Sequence, residues 1–297
     1  MRVVYEHRDV QWANYVLAYG DILGQRDLLK RMSELPVNQE QEDDFAEAAH
    51  NTYNAVHLVQ KHLGKAFHKG TQPPPKDPRY RELSPTQKQE FDRLTGTEVR
   101  LHFLGDSFVV YGPIFNESQK LALANVFPML SSIAYIALGF LSAGIPLRGG
   151  IEVGVGAEWS GGGIYGPILA EAHALESTVA QYPRVVIGSR LAGLLSHFAQ
   201  MPDNGDELNK MNKAFALACQ RLVCTDQDGT PILDYLGDVM RENLPSAVGG
   251  RFVRDAFKFV THQLGEFAKQ QNTKLAFRYT LLRDYFSSRI AKWGISP

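Results

Sequence analysis

The sequence predicts an α/β (α+β) fold, a mixed sheet flanked by helices and followed by a helical C-terminal extension, and three observations carry that expectation. Short segments rich in β-branched and aromatic residues end in Gly-Asp pairs, at Gly20-Asp21 and Gly105-Asp106. Between them lie longer segments whose apolar residues recur at three- and four-residue steps, the period of an amphipathic helix. From about Arg251 onward the chain reads as amphipathic helix alone.

Taken in order, Trp12 to Ile22 (WANYVLAYGDI) is a strand running into a turn. Asp43 to Leu63 is a helix, because Phe45, Ala49, Tyr53, Val56, Val59 and Leu63 share one face and acids stand at its start, where the helix dipole favours them. The Pro73 to Pro75 run breaks that pattern inside a polar insertion of about 64–96, with a short helix near Thr86 to Leu94. Val99 to Tyr111 (VRLHFLGDSFVVY) gives two strands meeting at Gly105-Asp106, a hairpin signal. Leu121 to Leu141 is an apolar helix and Leu147 to Val155 a glycine-spaced strand, after which comes the glycine loop Gly161 to Gly163. Ile168 to Val179 has strong helix formers throughout, Arg184 to Ile187 is a short strand, and a helix begins at about Ser189. Leu222 to Leu236 is a hairpin turning at Asp228-Gly229. The simplest division is a domain over 1–240 and a helical extension over 241–297.

Composition narrows the function classes. With 31 basic and 32 acidic residues the net charge is −1, so no charge excess favours wrapping nucleic acid or lying on an anionic membrane. A polyanion would need a local site. The two cysteines, Cys219 and Cys224, fall short of a disulfide framework and form no CxxC, which fits a reducing cytoplasm. The most apolar stretch, Val126 to Ile145, is interrupted by Pro128, Ser131, Ser132, Gly139 and Gly144 and reads as a buried helix, not a membrane span.

Asp21 and Asp106 are the candidate catalytic and metal-binding residues. Each follows a glycine at a sharp turn, and if the first strand lies beside the hairpin both carboxylates emerge at one sheet edge. Converging carboxylates without a compensating lysine repel one another, and Mg²⁺ or Mn²⁺ relieves that repulsion through oxygen ligation. The alternative is that each Gly-Asp merely forms a turn.

Four segments together resemble one family. YGDILGQRDLL is similar to the first strand and loop of class III adenylate and guanylate cyclases, LHFLGDSFVVYG to their central hairpin, PLRGGIEVGVG to the next glycine-spaced strand, and IYGPILAEAHALESTVAQYPRVVIGSRL to the helix and strand that complete the catalytic half. The resemblance spans roughly Tyr15 to Leu191, in order. It implies a cyclase-like sheet and two metal ions per site on Asp21, Asp106 and the carbonyl of Ile22, with the backbone of Leu23, Gly24 and Gln25 cradling phosphate. It also implies a homodimer with its sites at the interface, each using the aspartates of one chain and the helix beginning near Tyr165 of the other.

The departures point to a branch. Where purine-using members carry a lysine and an aspartate, this chain has His102 and Gly163; where the helix supplies an asparagine and an arginine, it has Ala170 and Ala174. The chain resembles most the pyrimidine cyclases of bacterial Pycsar anti-phage systems, which implies UTP, ahead of CTP, as substrate and cyclic UMP or cyclic CMP as a messenger for a separate effector. A purine cyclase with altered recognition residues and a catalytically silent nucleotide sensor are the other readings. His102 and Tyr53 are the candidate nucleobase-binding residues, though Tyr53 has a spacing that suits core equally. Arg26, Arg148 and Arg184 are candidates for the missing transition-state cation, although the structural reading of each is the stronger, since an arginine at a strand start often pairs with a nearby acid on the surface. Asp226-Gln227-Asp228-Gly229 lacks the bidentate glutamate of a calcium loop and is a turn.

Overall fold

The computed structural model describes residues 6–7, 10–69, 85, 88–89, 99–115, 120–159, 163–202 and 205–295. Its strands are β1 (Glu6–His7), β2 (Val10–Ile22), β3 (Arg100–Leu104), β4 (Ser107–Pro113), β5 (Leu147–Glu158), β6 (Ile164–Tyr165), β7 (Val185–Ile187), β8 (Val223–Thr225) and β9 (Pro231–Leu233). They form one sheet in the order β3-β4-β2-β5-β7-β9-β8, with β1 on β2 and β6 on β5. The sheet is mixed, because β5 and β7 run parallel while the other pairs run antiparallel.

The helices are α1 (Gln25–Arg31), α2 (Gln39–Lys69), α3 (Val126–Ser142), α4 (Pro167–Ala174), α5 (Ser189–Gln200), α6 (Glu207–Gln220), α7 (Asp238–Asn243), α8 (Ser246–Lys269) and α9 (Thr273–Ser287). They take the two faces of the sheet unequally. On one face Val16 and Ala18 of β2, Val110 of β4 and Ile151 of β5 meet Val59 and Leu63 of α2, and Met129 and Ile133 of α3, in a single buried core. Val253, Ala256 and Val260 of α8 belong to that same core. On the other face Tyr15, Leu17, Val109 and Tyr111 form a smaller core with Ile168 and Ala172 of α4 and Ile164 of β6. The period-two alternation along β2 is what sends Val16 and Ala18 one way and Tyr15, Leu17 and Asp21 the other.

Several boundaries differ from the sequence expectation for local reasons. The α2 helix runs well past Leu63, because Phe67 prolongs its buried face, so 64–69 of the expected polar insertion is helical. The rest of that insertion, including most of the helix expected near Thr86 to Leu94, lies outside the described residues. Helix α3 starts at Val126 rather than Leu121: the chain before it bridges back to the end of β4, with Ala122 N donating to Ile114 O at 2.9 Å. Pro128 falls in the first turn, where its missing N–H costs nothing. Helix α6 was not expected at all. Its buried positions are the small or polar Asn212, Ala216 and Cys219, a weak hydrophobic signal, although Asp206 caps it by accepting from Leu208 N at 2.9 Å. Among the described residues no helix is long and apolar enough to cross a membrane.

Candidate active site

Register brings the two aspartates together. Asp21, next to the last residue of β2, stands opposite Ser107, the first residue of β4, and Asp106 occupies the tight turn between β3 and β4, where Gly105 takes the left-handed φ of 68° that such a turn needs. Ile22 N donates to Asp106 O at 3.2 Å, which ties the turn to the end of β2. Ser107 Oγ donates to Asp21 Oδ1 at 3.0 Å.

On its other side Asp21 faces Arg148, its partner in the β2–β5 ladder, with Nη2 3.8 Å from Asp21 Oδ2. Arg148 is in turn held by Glu176, whose Oε1 accepts from Nε and Nη2 at 2.5 Å each. Glu176 is 2% exposed. It sits on a π-helical turn, Leu175–Val179, that continues α4, and such turns recur at functional sites. The turn can approach β5 because Gly150 has no side chain: a Cβ there would lie 2.5 Å from Leu175 Cβ and 2.6 Å from Ala172 O. Ser107 and Glu176 were not singled out in the sequence, since a serine after a turn and a glutamate in a helix are ordinary.

Electrostatically the edge is unbalanced. Burial pushes the Asp21 carboxyl up to about 6, the negative charges of Asp106 and Glu176 push the same way, and the Ser107 hydroxyl and Arg148 oppose them. A carboxylate so disfavoured is the kind of group that a hard divalent cation stabilises. Among the described residues no group of three or more His, Cys, Asp or Glu could hold a metal. The oxygen groups at this edge include the two aspartates and the backbone of Ile22, a donor type that would suit a hard cation such as Mg²⁺ or Mn²⁺.

The other expected residues fall into place unevenly. Leu23 N donates to Pro146 O at 2.9 Å, so its amide leaves the phosphate-binding set. That set reduces to Gly24, in left-handed conformation at φ 91°, and Gln25, whose buried side chain meets Thr52 Oγ1 at 2.5 Å. The same contact brings α2 beside this loop. Tyr53, the next residue, is 66% exposed and stacks on His57, so it is no core residue of the chain. His102 lies on β3 on the same face as Asp21, stacked on Tyr111, and its Nε2 accepts from Gly163 N at 3.0 Å. The two positions that depart from the purine-using pattern thus touch one another. Of the glycine loop only Gly163 is described, with Gly161 and Gly162 outside the described residues.

Arg184 is removed from the list of candidate cations. It is buried between Asp226 and Asp228, bonded at 2.6 and 2.8 Å, and donates to Val179 O at 2.8 Å. The Asp226 to Gly229 segment is the turn expected, its carboxylates spent on that arginine. Arg26 is exposed on α1, and Ala170 and Ala174 are exposed on α4.

No protein-family model matches the chain, and no match is found among curated proteins. Among solved structures the chain is similar to the catalytic core of a rhodopsin-guanylyl cyclase with converted specificity in complex with ATPalphaS, at 11% identity and a TM-score of 0.33, over 61% of this chain and 80% of that one.

Proposed function

We propose that the protein is a nucleotide cyclase that converts a pyrimidine nucleoside triphosphate, UTP ahead of CTP, to its 3′,5′-cyclic nucleotide and pyrophosphate. The observation that carries this reading is the meeting of Asp21 and Asp106 at one sheet edge, with Asp21 raised by burial and by its acidic neighbours, in a chain whose four ordered motifs resemble class III cyclases. In the reaction the ribose O3′ forms a bond to the α-phosphorus, the bond from that phosphorus to the oxygen of the β-phosphate breaks, and the hydroxyl proton passes to solvent. Two Mg²⁺ or Mn²⁺ ions, when bound, would lower the pKa of the attacking hydroxyl and neutralise the leaving pyrophosphate. The chain's own part is to position. Asp21, Asp106 and the Ile22 carbonyl hold the cations, Ser107 and Arg148 orient Asp21, and Glu176 fixes Arg148.

Pyrimidine preference rests on His102 and Gly163. With Nε2 bonded to the Gly163 amide, His102 closes the place where a lysine and an aspartate would read a purine edge. Tyr53, exposed and aromatic, supplies a stacking face. The sites form in a homodimer, where the exposed face of α4 meets the aspartate edge of the partner, and the cyclic product activates a separate effector in cytoplasmic anti-phage defence.

One assay tests the reading. Purified protein with Mn²⁺ is incubated with each of the four ribonucleoside triphosphates and the products are identified by mass spectrometry. Cyclic UMP should dominate; faster cyclisation of ATP or GTP overturns the pyrimidine assignment, and no cyclic product from any nucleotide overturns the cyclase assignment.

A further inference from the structure

Helix α4 carries one ring to the aspartate edge of its own chain. Ile168 and Ala172 turn toward the sheet, and with about 3.6 residues per turn the residues on either side of Ala172 point to opposite flanks of the helix. On one flank Glu171 pairs with Arg190 of α5. On the other, His173 lies over β2, its ring 4.9 Å from the ring of Tyr19 in an edge-to-face contact. Tyr19 and Asp21 share a face of β2, two residues and so about 7 Å apart, and they pair with Gly150 and Arg148 in the same ladder. The missing side chain at Gly150 is what lets this end of α4 come so close. His173 thus borders Asp21 from within the same chain.

The imidazole of His173 is exposed, and among the described residues neither of its ring nitrogens has a hydrogen-bond partner; only the backbone carbonyl is engaged, accepting from Ser177 Oγ at 2.8 Å. Other donors around Asp21 are committed: Ser107 to Asp21 itself, Arg148 to Glu176 and Leu23 N to Pro146 O. Ala170 and Ala174, one turn apart on the exposed face of α4, carry no donor in their side chains. An imidazole keeps at least one N–H in either protonation state, and a charged phosphate oxygen is a stronger acceptor for it than a neutral one. We propose that His173 binds a phosphate group of the nucleotide held at Asp21 and Asp106 of its own chain. The carboxylates of the edge repel a bare phosphate, so the contact forms when cations are bound there. Helix α4 then serves the site of its own chain through His173, beside the face it presents to the partner.

The inference rests on the cyclase reading, and the experiment separates the two. The full-length protein with Mn²⁺ is titrated calorimetrically with inorganic tripolyphosphate, as wild type, His173→Ala and His173→Gln, and each melting temperature is recorded. Loss of one hydrogen bond to a charged group should weaken binding about tenfold in His173→Ala. His173→Gln, which keeps an N–H donor at similar reach, should retain most of the affinity, and neither variant should melt lower. Unchanged affinity in a folded His173→Ala variant overturns the contact, as does a wild-type protein that does not bind tripolyphosphate. Turnover of UTP then assigns the chain: His173→Ala co-expressed with Asp21→Ala should be no more active than the two variants alone, because no chain in the mixture holds both residues. Recovery of turnover would show that His173 serves the partner's site and overturn its placement here. A wild type that binds tripolyphosphate through His173 but forms no cyclic product from any nucleotide overturns the cyclase reading and leaves the contact standing.

Discussion

Two arginine–carboxylate clusters lie along the same sheet, and they are built to opposite ends. Around Arg184, two aspartates and a carbonyl surround one buried guanidinium, Tyr182 stacks on it, and Asp228 is drawn down to about 2 by the bond it accepts. Around Asp21, two further carboxylates share one arginine that is itself mostly committed to Glu176, and Asp21 is pushed up to about 6. The first cluster has matched charges and acts as a brace. The second carries an excess of negative charge, which costs stability and is where the proposed cations would bind. The two are joined, because the π turn that carries Glu176 ends at Val179, whose carbonyl Arg184 holds.

The contrast can be broken from either side. Asp21→Asn should lower turnover about a thousandfold or more, the scale of several kcal/mol expected when a metal ligand is lost. Because it removes a disfavoured charge, the metal-free variant should melt no lower than wild type. Turnover above half of wild type would remove Asp21 from the site, and a lower melting temperature would show that its charge stabilises the fold.

Asp226→Ala should do the reverse, costing about 3 kcal/mol in urea unfolding by removing the buried partner of a guanidinium that then keeps only Asp228 and the Val179 carbonyl. Any loss of turnover in the folded fraction would then arise through the π turn. A smaller effect comes from Gly150→Ala, where the added methyl must push away Leu175 and the Ala172 carbonyl; overpacking of this kind costs about 1–3 kcal/mol. If the π turn positions Arg148 through Glu176, KM should rise in this variant while the melting temperature falls only modestly.

The smallest effect is one of pH, and its sign differs between the clusters. Asp21 titrates higher in the folded chain than in the unfolded chain, so the folded state binds the extra proton as pH falls from about 6 toward the ordinary carboxylate range, and metal-free protein gains stability there. Asp228 titrates lower when folded, so its contribution is present above the ordinary carboxylate range and is lost as pH falls toward about 2. Melting curves of wild type, Asp21→Asn and Asp228→Asn across this range check both. Asp21→Asn should abolish the gain on mild acidification and Asp228→Asn should soften the loss at low pH; the same response from both variants would erase the distinction.

By itself the sequence determined most of the elements and the pair of Gly-Asp turns. The hairpin at Gly105-Asp106 and the strand ending at Gly20-Asp21 rest on turn chemistry and period-two patterning, which act over a few residues and are therefore written locally. Helix α6 escaped because its buried positions are small or polar, and the length of α2 escaped because its apolar face continues only through Phe67. Only the tertiary structure decided which charges meet. Glu176, Arg148 and Asp21 come from a π turn and two strands far apart in sequence, and nothing in the local pattern distinguishes Arg148, left beside Asp21, from Arg184, enclosed by Asp226 and Asp228. The physical reason is that partnership between charges is set by strand register and by how closely a helix can approach a sheet, here at Gly150, and those are properties of the assembled fold.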